Sequence, residues 1–269
     1  MVYPALPEPI RHAPAQLPRA IRSLAAVVAL ALAPMQWSGA EPADEAVADR
    51  REIYSPASPA WLRAVGKLQV PGSRYSAGRR THLQENCSAT LVVSAAARSA
   101  DTIITAWHCL ADYSDLSKPI TFTLSPDLPG TAQRQAYRLA DGGGMHADWA
   151  ILRLFRPVAV QEAQALAVHH GRADTGRDIT MAGYSRDTGK GAAGSRLTFD
   201  RNCRITAQAP EASQSNCIAH KGASGGAVVQ LSAEQLPLYS GVISEGNGAG
   251  LSTFVPVASF RDELARHLR

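Results

Sequence analysis

From residue 62 onward the apolar residues of this chain come in short runs, not in long amphipathic stretches. Leu91-Val92-Val93, Thr102-Ile103-Ile104-Thr105 and Ile120-Thr121-Phe122-Thr123-Leu124 are β-branched or apolar, and Ala150-Ile151-Leu152-Arg153-Leu154 alternates. Runs over 178–184, 196–199, 227–231, 239–244 and 252–257 continue the series, with Ala64 to Val70 as its first member. Pro129-Gly130, Gly142-Gly143-Gly144 and Gly189-Lys190-Gly191 punctuate them as turns. Closely spaced short strands with turn signals between them predict an all-β barrel or sandwich, not a parallel α/β sheet. One good helix is expected, at the end, where Val257, Phe260, Leu264 and Leu268 share a face at three- and four-residue spacing. Residues 157–177, with Pro157, His169-His170-Gly171 and Gly176, read as a connector between two β halves.

The N-terminus has a different pattern. Arg11, Arg19 and Arg22 precede the apolar run Leu24 to Met35, and Trp37-Ser38-Gly39-Ala40 leads into the acidic Glu41-Pro42-Ala43-Asp44-Glu45. Basic, apolar and then small-residue cleavage site is the order of a secretory signal. The apolar run is about 12 residues, short of the ~20 that span a bilayer, so an uncleaved anchor is the weaker reading. The expected division is a signal peptide over 1–40, a linker or propeptide over 41–61, and a folded domain over 62–269. The expected location is secreted or periplasmic, with no stable membrane span once the signal is removed.

Composition changes this picture little. The 269 residues are 45% apolar and 19% charged, as for a soluble globular chain with a formal charge of +4. Arginines are scattered, with Arg79-Arg80 the densest spot, which argues against a nucleic-acid partner. Four cysteines, at 87, 109, 203 and 217, suggest two disulfides in an exported chain. Three connectivities are open, of which local pairing is the simplest. The spacings fit no zinc template, and His169-His170 lacks further ligands at suitable spacing, so no metal or other cofactor is expected.

The sequence offers one residue for each role in acyl transfer. A serine hydroxyl needs an imidazole to accept its proton, and the imidazole works best when a buried carboxylate fixes its tautomer. His108 stands in Thr105-Ala106-Trp107-His108-Cys109, Asp148 opens Asp148-Trp149-Ala150-Ile151-Leu152, and Ser224 sits in Gly222-Ala223-Ser224-Gly225-Gly226. Asp141 is a competing carboxylate. Backbone N–H groups of Gly222 and Ser224 are the candidate oxyanion donors, since glycine allows the bend that would aim both at one spot.

Thr-Ala-x-His-Cys, Asp-x-Ala-x-Leu and Gly-x-Ser-Gly-Gly, in that order, resemble the chymotrypsin-like serine proteases over about residues 62–269. The resemblance implies two antiparallel six-stranded β-barrels, about 62–156 and 178–256, a C-terminal helix over 257–268, and a His108–Asp148–Ser224 triad between the barrels. It implies a Cys87–Cys109 disulfide beside the histidine, leaving Cys203 with Cys217. Gly241-Val242-Ile243-Ser244-Glu245-Gly246 resembles the strand that pairs with substrate backbone, and Ile218, Ala219, His220, Ile243, Ser244, Glu245 and Gly246 are the implied substrate-binding residues. Substrates would be proteins or peptides. The trypsin-type aspartate six residues before the serine is replaced by Ile218, which does not support Lys/Arg specificity; Gly246 and Gly250 would leave the walls open, His220 and Lys221 favour an acidic side chain, Glu245 opposes that, and the reading leans toward apolar or small side chains.

One departure concerns activation. Ala223 occupies the position of the acid that, in animal members, pairs with a new N-terminal ammonium and orders the oxyanion loop. Other contacts must order it here, with a Cys203–Cys217 bond as one candidate. A catalytically dead protease-like binding protein is the alternative that Ala223 raises. An α/β-hydrolase-type esterase is the other, because Gly222 to Gly226 also fits Gly-x-Ser-x-Gly. It is disfavoured by the strand-like Ala227 to Leu231 that follows, and by Asp262 and His267 lying on one predicted helix.

Overall fold

The computed structural model describes residues 48–94, 97–125 and 132–268. The expected signal peptide, and the start of the segment expected as linker, lie outside the described residues.

Six strands close the first barrel: β2 (Val65–Ser76), β3 (Arg79–Val93), β4 (Ser99–Thr105), β5 (Ile120–Leu124), β6 (Ala132–Asp141) and β7 (Ala150–Ala159). Their order is β3-β2-β5-β6-β7-β4, and β4 pairs back onto β3 to complete the ring. Alternation explains the closure. In β5, Ile120, Phe122 and Leu124 are buried while Thr121 and Thr123 are only partly so, as one inward face requires. Leu68, Leu91, Ile103 and Ile104 fill the interior beside Phe122.

The second half contains β9 (Ile179–Gly183), β10 (Thr198–Cys203), β11 (Ile205–Gln208), β12 (Ser213–Ser215), β13 (Ala227–Leu231), β14 (Pro237–Gly246) and β15 (Ser252–Pro256). Antiparallel ladders run β10-β9-β13-β14-β15-β12-β11. The Cys203–Cys217 disulfide, with Cα atoms 5.1 Å apart, ties the end of β10 to the chain just after β12. Cys87–Cys109, at 6.2 Å, joins β3 to the turn that carries His108.

Five strands lie where the sequence reading had none: β6, β11 and β12, and two more outside the ladders above. β1 (Glu52–Ile53) adds to the edge of β10, with Glu52 opposite Phe199 and Ile53 opposite Thr198. Within the connector, β8 (Leu166–Val168) pairs in parallel with β14 on one side and β3 on the other. The C-terminal helix is shorter than its apolar period suggested: a 3₁₀ turn over Val257–Ser259 precedes α1 (Arg261–His267). The break falls at Phe260, whose backbone leaves helical geometry (φ −130°, ψ 16°) where its ring stacks on Trp149 at 4.9 Å. Among the described residues no helix is long and apolar enough to cross a membrane.

Candidate active site

Strand ends bring the three candidate residues into one cleft. His108 lies in the 3₁₀ turn Trp107–Leu110 that ends β4, Asp148 just before β7, and Ser224 in the glycine loop that precedes β13. Asp148 is 1% exposed, and both its oxygens serve His108. Oδ1 accepts the His108 backbone N–H at 2.9 Å, and Oδ2 lies 2.9 Å from ring Nδ1. An ionised carboxylate only accepts, so Nδ1 carries the proton and Nε2 is the free basic nitrogen. Ser244 Oγ also donates to Asp148 Oδ2, at 2.5 Å. Asp141 is engaged elsewhere, with Arg138 and the Gly143 N–H.

Charge follows from this wiring. Burial pushes the His108 imidazole down, but the hydrogen bond and charge of Asp148, helped by Glu245 and Glu85, more than offset it, so its pKa is raised. Burial pushes Asp148 up, and its hydrogen bonds and the charge of His108 bring it net below the usual carboxylate range.

Ser224 Oγ donates to the Ser244 carbonyl at 3.0 Å. Among the described residues no hydrogen bond joins it to the His108 ring, although both line the same cleft. Such contacts in ligand-free sites commonly tighten only when substrate arrives. The neighbouring N–H groups are already directed. The Lys221 carbonyl accepts the Arg186 N–H at 2.6 Å. Because the peptide unit is planar and trans, the Gly222 N–H must point the opposite way. Neither the Gly222 nor the Ser224 N–H donates to a protein acceptor among the described residues.

Glycine is needed at two of these positions. Gly222 has φ +94°, and a Cβ there would lie 2.5 Å from the Tyr184 carbonyl oxygen. Gly225 has φ +83°, and a Cβ would lie 2.1 Å from the Ser88 carbonyl oxygen.

Ser88 is a residue that sequence reasoning missed. It is buried in β3, beside Cys87. Its N–H donates to the Ser224 carbonyl (2.8 Å), its Oγ donates to the Gly222 carbonyl (2.8 Å), and the Tyr184 N–H donates to that same Oγ (2.8 Å). A first-barrel strand thus fixes the glycine loop of the second half. Only the adjacency to Cys87 in Cys-Ser-Ala-Thr hinted at it.

The cleft has a volume of about 540 Å³. His220, Ile243, Ser244, Glu245 and Gly246 line it as expected, joined by Met145, Lys221, Asn247, Leu251 and Thr253. Ile218 and Ala219 do not line it: both are 2% exposed and lie behind the wall, where the Gly248 N–H donates to the Ala219 carbonyl at 3.0 Å. Met145 enters from the glycine-rich turn before Asp148, a loop whose path the sequence does not disclose.

Two β halves, with a histidine and a buried carboxylate from one facing a glycine-flanked serine from the other, define a class: the peptidases of chymotrypsin type. Residues 87–236 match the trypsin-like peptidase domain, and the chain belongs to that family. Among solved structures it is similar to the active form of the Rv3671c protease from M. tuberculosis, with TM-score 0.52 and 16% identity over 77% of this chain and 81% of that one. No curated protein sequence matches it.

Proposed function

We propose that the protein is an exported serine endopeptidase that hydrolyses peptide bonds through an acyl-enzyme on Ser224. The observation that carries this reading is the buried Asp148 carboxylate, which grips His108 by backbone and ring at 2.9 Å each, in the cleft that holds Ser224.

The steps follow from the geometry. Ser224 Oγ attacks the substrate carbonyl carbon while His108 Nε2 takes the hydroxyl proton. Asp148 keeps Nδ1 protonated and stabilises the imidazolium that forms. The carbonyl oxygen becomes an oxyanion and is met by the N–H groups of Gly222 and Ser224. The tetrahedral adduct collapses, the C–N bond breaks, and His108 gives its proton to the leaving amine. Water, deprotonated by His108, then attacks the acyl-enzyme and frees the acid and Ser224. No cofactor enters any of these steps.

The cleft supports a preference for apolar or small side chains. Met145, Ile243, Leu251 and Thr253 line it beside the polar His220, Lys221, Glu245 and Asn247, and Ile218 is buried behind its wall. Export is supported by the basic–apolar–small pattern of residues 1–40 and by two disulfides, which persist in oxidising compartments.

Labelling with a fluorophosphonate tests the reading. The wild type should be labelled and should cleave a casein digest. Ser224→Ala should abolish labelling and lower kcat by on the order of 10⁶ while its circular dichroism stays unchanged. Labelling that persists in the variant would refute the nucleophile assignment.

A further inference from the structure

The steps above leave unused a heavily paired segment, residues 49–54. Residues 49–54 precede the first barrel and lie on the second half. β1 adds to β10, and the Tyr54 N–H donates to the Leu197 carbonyl at 2.9 Å. Between Asp49 and β1 stand two adjacent arginines that reach different loops. Arg51 is 2% exposed. Its Nη1 lies 2.9 Å from Asp187 Oδ1, while Nη2 and Nε hold Asp49 at 2.8 and 2.9 Å. Lys190 Nζ reaches back to the Asp49 carbonyl at 2.6 Å and to the Arg51 carbonyl. Arg50 Nε lies 3.0 Å from Asp200 Oδ1, and its Nη2 donates to the Asn216 carbonyl.

Each acidic partner stands next to the machinery of the site. Asp187 follows Arg186, the residue whose N–H holds the Lys221 carbonyl and so aims the Gly222 N–H. Its other oxygen accepts the Gly191 N–H at 3.2 Å, which shapes the loop 185–194. Asp200 is 1% exposed, and its Oδ2 accepts the Ile218 N–H at 2.7 Å, six residues before Ser224. Asp200 is a buried carboxylate and is left uncompensated without Arg50, and Arg51 is a buried cation whose fork is held by the partly exposed Asp187 and Asp49, so each loop is tied to one arginine.

We propose that Arg50 and Arg51 are positioning residues for catalysis. They clamp the loop 185–194 and the segment 216–221, the two supports of the Gly222 N–H, and make residues 49–54 a permanent part of the working enzyme. The proposal rests on the serine peptidase reading for its kinetic consequence, and on contacts alone for its structural one. The oxyanion donors act chiefly in the transition state, so slackening them lowers kcat more than it raises KM.

The test compares the full wild-type chain with Arg50→Ala, Arg51→Ala and Arg51→Lys, by peptide hydrolysis and by segment-resolved amide hydrogen exchange. Arg51→Ala should lower kcat about 10- to 100-fold with KM nearly unchanged. It should speed exchange in 185–194 and 216–222 but not in the first-barrel strands. Arg51→Lys, which keeps the charge and loses the fork, should recover part of both. Arg50→Ala should speed exchange chiefly in 216–222. Unchanged kcat and unchanged loop exchange in both alanine variants would overturn the clamp. Should either unfold globally, Asp187→Asn decides, because it cuts the link from the loop side and leaves the segment in place; wild-type kcat there overturns the clamp. A wild type that neither hydrolyses peptides nor takes the fluorophosphonate sinks the peptidase reading, and the exchange pattern alone then decides for or against the clamp.

Discussion

Ala223 stands where the resemblance leads one to expect an acid, and its surroundings explain why an acid would be out of place. It is buried in an apolar cluster with Met181, Val228 and Ile243. Its Cβ lies so near Gly183 that a methyl group there would stand 2.9 Å away. A carboxylate at this point would be dehydrated among apolar side chains. The ordering falls to Ser88, whose N–H and hydroxyl take the Ser224 and Gly222 carbonyls. The proton traffic of the site makes a second residue-scale point. Asp148 raises His108 above its ordinary 6.5, and the neutral imidazole is the form that accepts a proton. The acid limb of kcat/KM should therefore have its midpoint above 6.5, measured by initial rates at fixed ionic strength. A midpoint below that value would contradict the pairing. Asp148→Asn should move the limb downward and lower kcat by about 10⁴. The linkage has the matching sign: a histidine raised by folding adds stability below its unfolded pKa, and that stability is lost as pH rises through the folded value.

At the scale of elements, most strands of the two halves were legible because each carries its own short run, while the more polar β6, β11 and β12 were not. β5 announces itself by alternation within five residues, whereas Ala150 to Leu154 of β7 are all buried and form a short apolar run broken only by Arg153. The candidate site was legible for a similar reason, since His108, Asp148 and Ser224, which the structure brings to one cleft, each sit in a short motif whose neighbours serve the same local geometry. What stayed hidden acts across long sequence separations. β8 is three residues long and gains its form only from β3 and β14 on either side. Arg50 and Arg51 meet partners more than a hundred residues away, and the composition around them reads as a linker. Ile218 and Ala219 were placed at the cleft wall because they adjoin His220, but both are buried behind it, where the Ile218 N–H goes to Asp200 and the Ala219 carbonyl to Gly248. The disulfides belong to this scale too. In the second half no ladder joins β10 to β11 or β12, and Cys203–Cys217 makes the tie. A Cys203→Ser/Cys217→Ser double variant should lose about 3 kcal/mol in urea titrations. A loss under about 0.5 kcal/mol would mean the neighbouring ladders suffice without the covalent link.

For the molecule as a whole, β8 makes the two halves continuous. It bonds to β14 and β3 at once, so the backbone ladders run unbroken from one half into the other. One apolar core crosses the same line, with Leu166 and Tyr239 packed together with Leu91 and Ile103. Scanning calorimetry of the purified protein should therefore give one cooperative transition whose van't Hoff and calorimetric enthalpies agree. Two resolved transitions would show that the halves melt independently. The bonds around Ser224 carry this sharing into the candidate site. Ser224 belongs to the second half, yet its carbonyl is held by Ser88 of the first; Asp148 belongs to the first, yet takes a hydroxyl from Ser244 of the second. Each half is custodian of a group the other supplies. A molecule lodged as a wedge in the seam, well away from the cleft, would silence the enzyme by parting these custodians, without ever competing with a substrate.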